Sequence, residues 1–219
     1  MVQLPPLYAI LDAGFFRDSA AMFAAAQELA AAGCSLIQYR NKSGNARVML
    51  EQAEQLRKLL ARDQKPHFSQ NRGEVGHPPV LIMNDRADLC LAAGFDGVHV
   101  GQDDLSPESV RMIIGPHGWL GVSTHNAEQL RGADLTSAEY LAIGPVFATS
   151  SKEKPDPVVG LDGVRRARAL TRKPLVAIGG ITRANAASVI EAGADSVAVI
   201  SDLLRDTGKS AEEFLRILR

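Results

Sequence analysis

The feature that most constrains this chain is an alternation, sustained over its length, of short apolar runs with longer segments of helical periodicity. Leu7-Tyr8-Ala9-Ile10-Leu11 lies between Pro5-Pro6 and Asp12, and its length and unbroken apolarity suit a strand buried on both faces. Residues 19–32 are alanine-rich and read as the returning helix, with Ser19 as its N-cap and Gly33 where a terminating glycine belongs. The unit then recurs. Strands are expected at residues 35–39, 80–83, 97–100, 119–122, 140–143, 174–178 and 196–200. Helices are expected at 46–62, 86–93, from Ser106-Pro107-Glu108 onward, and at 127–132, 161–171, 183–192 and 210–219.

Eight buried strands alternating with helices predict an α/β protein, a single-domain (β/α)8 TIM barrel spanning residues 1–219. A doubly wound open sheet is the alternative, and the strand count favours closure. The 219 residues, 46% of them hydrophobic, suffice for one such core. Residues 63–79 interrupt the rhythm with a polar stretch; because the alternation resumes at once, this is a longer surface loop entering the third strand from its amino end, not a linker. The turns Gly94-Phe95-Asp96 and Gly193-Ala194-Asp195 lead from helix to strand, and their aspartates are expected to be structural.

A formal net charge of −1 without a long basic run argues against a nucleic-acid partner. No apolar run approaches the length of a membrane span, no segment reads as a signal, and a cytoplasmic location is expected. Cys34 and Cys90 lack the spacing of a disulfide or zinc motif. Whether the chain forms a homo-oligomer is left open.

In a barrel the chemistry sits where strands end at their carboxyl side. There the sequence places Gln38-Tyr39-Arg40-Asn41-Lys42, Asn84-Asp85-Arg86, Gly101-Gln102-Asp103-Asp104, Ser123-Thr124-His125-Asn126, Gly179-Gly180-Ile181 and Ile200-Ser201-Asp202. The sixth strand opens into Gly144-Pro145-Val146-Phe147-Ala148-Thr149-Ser150-Ser151-Lys152, small hydroxyl residues closed by a lysine, a composition suited to holding an anion. Gly180, with Ile200 and Ser201, occupies the strand-seven and strand-eight position where barrels commonly hold phosphate. Arg40, Lys42 and Lys152 converge as a second anionic subsite. Asp85 with Asp103 or Asp104 offers hard oxygens for Mg²⁺, and spacing alone does not choose between the last two. Two phosphorylated small-molecule ligands are implied. No Ser/His/Asp set, CxxC or GxGxxG supports hydrolase, thiol-redox or dinucleotide chemistry.

Taken in order, Gln38-Tyr39-Arg40-Asn41-Lys42, Asn84-Asp85-Arg86, Val98-His99-Val100-Gly101-Gln102-Asp103-Asp104, Gly121-Val122-Ser123-Thr124-His125, Gly144-Pro145-Val146-Phe147 and Gly179-Gly180-Ile181 resemble the thiamine-phosphate synthase family over almost the whole chain. The resemblance implies that Gln38, Arg40, Lys42 and Asn84 hold a pyrimidine diphosphate, that Asp85 and Asp104 bind Mg²⁺, and that Ser123 contacts the same substrate. It assigns Thr149 and Ser151 to a thiazole phosphate, Lys152 to the diphosphate, and Gly180, Ile200 and Ser201 to the phosphate pocket; Tyr39 and Ser150 are counted with the substrate-binding set as neighbours of these positions. Arg40, Lys42, Ser123 and Lys152 are the catalytic candidates. The implied reaction joins the pyrimidine to the thiazole with loss of pyrophosphate. Asn41, also counted as substrate-binding, stands where the family usually has an acidic residue, Ser151 stands where threonine is common, and the 63–79 stretch is long. A thiazole tautomerase using His125 as proton carrier, and a non-catalytic phosphate-binding barrel, are the rival readings; His125 and His99 are otherwise expected to be ordinary hydrogen-bonded histidines.

Overall fold

The computed structural model describes residues 2–62, 78–149 and 156–219. Its strands are β1 (Leu7–Asp12), β2 (Leu36–Arg40), β3 (Val80–Asn84), β4 (Gly97–Val100), β5 (Trp119–Thr124), β6 (Tyr140–Ile143), β7 (Leu175–Ile178) and β8 (Ser196–Val199). All pair in parallel in sequential order, and β8 closes onto β1. The helices are α1 (Ser19–Ala31), α2 (Ala46–Arg62), α3 (Ala87–Ala93), α4 (Pro107–Ile114), α5 (Ala127–Asp134), α6 (Gly160–Leu170), α7 (Ala186–Glu191), α8 (Ser201–Leu204) and α9 (Thr207–Ile217). The (β/α)8 barrel is therefore closed, as the alternation predicts. No helix among the described residues is long and apolar enough to cross a membrane.

Strand periodicity of two splits the apolar residues into two cores. Leu7, Ala9, Leu11, Ile37, Tyr39, Leu81, Met83, Val98 and Val100 face the helices. Tyr8, Ile10, Leu36, Ile82, Tyr140, Ala142, Val176 and Ala198 fill the barrel interior. The same alternation turns Tyr39 away from the mouth, although it sits between Gln38 and Arg40. Tyr39 is 1% exposed among the helix-facing residues and uses its hydroxyl to bond Gln52, so its place in the substrate-binding set is corrected to a structural one.

At the amino end of the barrel, three carboxylates repeat one device. Asp96, Glu139 and Asp195 each stand just before an even-numbered strand and accept the backbone N–H of Leu81, Leu120 and Leu175 in the preceding strand. Arg57, Arg111 and Arg168, from α2, α4 and α6, pair with them in turn. Asp96 and Asp195 are structural, as their turns imply. Ser106 caps α4 with Pro107 behind it, but α1 is capped by Asp18, whose carboxylate accepts the Ala21 N–H. Ser19 instead accepts a hydrogen bond from Gln52.

Candidate active site

The strand ends enclose a cavity of about 810 Å³ at the carboxyl side of the barrel. Gln38, Asn84, His99 and Ser123 reach it from inward-facing strand positions. Arg40, the last residue of β2, pairs with Asp12, the last residue of β1. Lys42 reaches across to Asp85, Nζ to Oδ2 at 2.5 Å. Asp85 is the one non-glycine residue of positive φ, 62°, among those described. Left-handed backbone is tolerated by aspartate better than by most residues, and such strain clusters at functional sites. Burial pushes the Asp85 carboxyl above the usual carboxylate range; Lys42 opposes that shift and Asp104 adds to it. Asp104 accepts the Gly101 N–H at 2.8 Å, which fixes its carboxylate on the β4 loop. Beside these groups the Asn84 Nδ2 is buried with no hydrogen-bond partner among the described residues.

A second set of groups runs through the barrel beneath the mouth. Gln38 Nε2 bonds the Tyr8 hydroxyl at 2.8 Å, Tyr8 bonds Tyr140 at 2.9 Å, Tyr140 bonds His99 Nδ1 at 3.1 Å, and His99 Nε2 bonds Ser123 Oγ at 2.8 Å. Burial holds the His99 imidazole pKa down at about 4, so it is neutral at ordinary pH. His99 is a satisfied barrel residue, as expected. His125 is tied at both nitrogens, by Nδ1 to the Gly144 carbonyl at 2.7 Å and by Nε2 to Asp156 at 3.5 Å.

On the opposite side of the mouth, the chain after β6 runs against the end of β7. The N–H groups of Val146 and Phe147 bond the carbonyls of Ile178 and Gly179, both at 2.9 Å. Gly179 and Gly180 have φ of 101° and 64°, and a Cβ on Gly180 would lie 2.5 Å from the Ala148 carbonyl oxygen. Glycine is required here both by conformation and by close approach. Thr149, Gly180, Ile200 and Ser201 line the cavity together, with Ser201 opening α8. Arg183 clamps Asp202 on α8 and Glu213 on α9, so Asp202 serves this joint.

A profile of the thiamine monophosphate synthase family matches residues 7–203. A thiamine-phosphate synthase from Koribacter versatilis is 55% identical over 222 aligned positions, covering 99% of this chain and 97% of that protein. The chain belongs to the thiamine monophosphate synthase family. A second relative of the same name, from Chloroflexus aurantiacus, is 41% identical across 97% of this chain and 91% of its own length. Among solved structures, a thiamine phosphate pyrophosphorylase from Pyrococcus furiosus superposes with a TM-score of 0.80 at 29% identity, covering 97% of this chain and 95% of that one.

For this member of the thiamine monophosphate synthase family, the fold brings Gln38, Arg40, Lys42, Asn84, Asp85, Asp104, Ser123, Thr149, Gly180, Ile200 and Ser201 to one cavity. Ser150, Ser151 and Lys152 lie outside the described residues, as do residues 63–77 of the predicted loop. Asn41 lines an adjoining cavity at the same mouth, together with Arg40, Lys42, Ile200 and Ser201. Its amide donates to Tyr39 and Gln52 and its carbonyl accepts the Ser43 N–H, so the residue standing where an acidic one is usual shapes the loop that carries Lys42. The sequence reading missed Asp12, Asp156, Tyr8 and Tyr140. Asp12 was legible as a charged residue ending a buried strand; the tyrosines were legible as polar-tipped residues at inward positions.

Proposed function

We propose that the chain, working as one catalytic domain, condenses the diphosphate of an aminopyrimidine with a thiazole phosphate, releasing pyrophosphate and forming thiamine phosphate. The observation that carries this reading is the pairing of two unlike anion subsites in one cavity. One is the Lys42–Asp85 pair with Asp104, Arg40 and the Asn84 amide, whose Nδ2 has no partner among the described residues; the other is the Gly180, Thr149 and Ser201 wall.

The donor chemistry fits Mg²⁺. Asp104 lies close enough to Asp85 to help raise its carboxyl above the usual range, and Mg²⁺ takes one or two carboxylates with waters and phosphate oxygens for the rest. Mg²⁺ bound there would supply positive charge to a diphosphate. Lys42 and Arg40 add fixed cationic donors, and Lys152 is assigned to the same leaving group. In this reading Asn84 Nδ2 and the Ser123 hydroxyl donate to its oxygens.

The reaction is read as a displacement at the methylene carbon. The C–O bond breaks with its electron pair passing to the departing diphosphate, while the electron-rich aminopyrimidine shares the positive charge. The thiazole nitrogen lone pair then forms the new C–N bond. No proton leaves that nitrogen, so the residues need only bind, orient and stabilise growing negative charge, preorganised electrostatics being the term that dominates many enzymes. The tautomerase reading, in which His125 would carry the proton, has no need of the Asp85–Asp104 carboxylates and the Lys42 and Arg40 cations that share the cavity.

Equilibrium binding tests the two-subsite claim. The pyrimidine diphosphate should bind in a Mg²⁺-dependent manner and the thiazole phosphate without that dependence, each leaving room for the other. Mutual exclusion of the two, or no binding of the pyrimidine diphosphate, would contradict it.

A further inference from the structure

We infer that Tyr8, Tyr140 and His99 are positioning residues forming a hydrogen-bond wire of one fixed polarity from Gln38 to Ser123, and that this polarity commits the Ser123 hydroxyl proton to the ligand. The inference rests on the reading above, in which Ser123 faces an anionic diphosphate.

Counting protons along the wire sets its direction. The Gln38 amide nitrogen can only donate, so the Tyr8 oxygen accepts at 2.8 Å. Tyr8 has a single proton, and its other partner is Tyr140, 2.9 Å away. Tyr140 in turn has one proton to give to His99 Nδ1 at 3.1 Å. A ring nitrogen that accepts carries no hydrogen, so the neutral imidazole bears its proton on Nε2 and donates it to Ser123 Oγ at 2.8 Å. With one lone pair of Ser123 taken from below, its own O–H is directed elsewhere, and the residue lines the cavity above.

This direction matches the ligand chemistry. Ionised diphosphate oxygens only accept hydrogen bonds, and charge-assisted bonds to them are the strong ones. Reversed, the wire would spend the Ser123 proton on His99 and leave a lone pair facing the anion. Gln38, Tyr8 and Tyr140 are 2%, 1% and 0% exposed, so bulk water does not compete for the links. The barrel also makes room for the central one. A Cβ at Gly121 would fall 2.4 Å from His99 Nδ1 and 2.1 Å from the Tyr140 ring, so glycine at that strand position is what lets the two rings meet.

The direct test is the His99 tautomer, read from long-range proton–nitrogen correlation spectra of the histidine-labelled wild-type protein at about pH 8, above the histidine range. A neutral ring protonated at Nε2 is expected; a ring protonated at Nδ1 overturns the proposal. This measurement needs neither substrate nor activity, so it decides the wire separately from the synthase reading. The second arm is a double-mutant cycle on turnover. Tyr140→Phe should lower kcat about ten-fold when Ser123 is present and less than about two-fold in the Ser123→Ala background, because the effect passes through that hydroxyl. Equal losses in both backgrounds would show a merely structural tyrosine and overturn the proposal.

Discussion

Lys42 Nζ sits 2.5 Å from Asp85 Oδ2, tying the loop after β2 to the residue that follows the neighbouring strand β3 at the mouth of the barrel. The carboxylate stands on a left-handed backbone, φ 62°, and this combination separates its conformational from its chemical role. Asparagine tolerates that backbone whereas alanine loses roughly 1–2 kcal/mol there. Asp85→Asn is therefore expected to keep most of the stability and Asp85→Ala to lose that amount, while both lower turnover by about 10²-fold or more. Chemical denaturation alongside steady-state kinetics checks this. Asp104→Asn and Lys152→Ala should match the kinetic loss; turnover within a few-fold of the parent would remove their assigned roles.

The His99 pKa of about 4, below its ordinary 6.5, predicts a stability profile. Between those values the unfolded chain binds a proton that the folded chain does not. Stability is therefore complete above about pH 6.5, falls as pH drops towards 4, and changes by about 1 kcal/mol per pH unit within that window from this group. Urea melts from pH 7 downward should show this slope, and His99→Gln should remove that share of it. Identical pH dependence in the two proteins would contradict the buried neutral ring.

Glu139 accepts the Leu120 N–H at 2.7 Å and pairs with Arg111, far from the mouth. Glu139→Ala should destabilise the barrel by about 1–3 kcal/mol, the usual cost of stranding a buried donor. At 25 °C the kcat/KM should remain close to that of the parent, since no ligand reaches this end. Reduced kcat/KM without loss of stability would place Glu139 in the wrong role.

Gly180→Ala adds a Cβ 2.5 Å from the Ala148 carbonyl oxygen at a φ of 64°. The β6 loop must shift, and a displacement of that kind near a binding group costs about ten-fold or more. The expected signature is a raised KM for the thiazole phosphate with little change for the pyrimidine diphosphate. Equal effects on both would mean that the two subsites are not separate.

Much of this was legible in the sequence because barrels leave a strong periodic trace. Every strand was found within a residue or two, and Gln38, Asp85 and Gly180 fell on one mouth from their strand-end positions alone. Tyr39 shows where such reading stops. Position along a strand is visible, but the face is set by the parity of the pairing register, and one step turns Tyr39 outward while Gln38 and Arg40 turn in. Ser19 failed for a local reason, since Asp18 offers the same cap one residue earlier. Partnerships between strands, Arg40 with Asp12 and His99 with Tyr140, join residues distant in sequence, so no local pattern announces them.

The most direct test of the account mixes the chain with 4-amino-5-hydroxymethyl-2-methylpyrimidine diphosphate and the thiazole phosphate, and follows thiamine phosphate and pyrophosphate over time. Equal amounts of the two products, formed only with Mg²⁺ present, are predicted. Binding of both substrates with no thiamine phosphate formed would contradict the central claim.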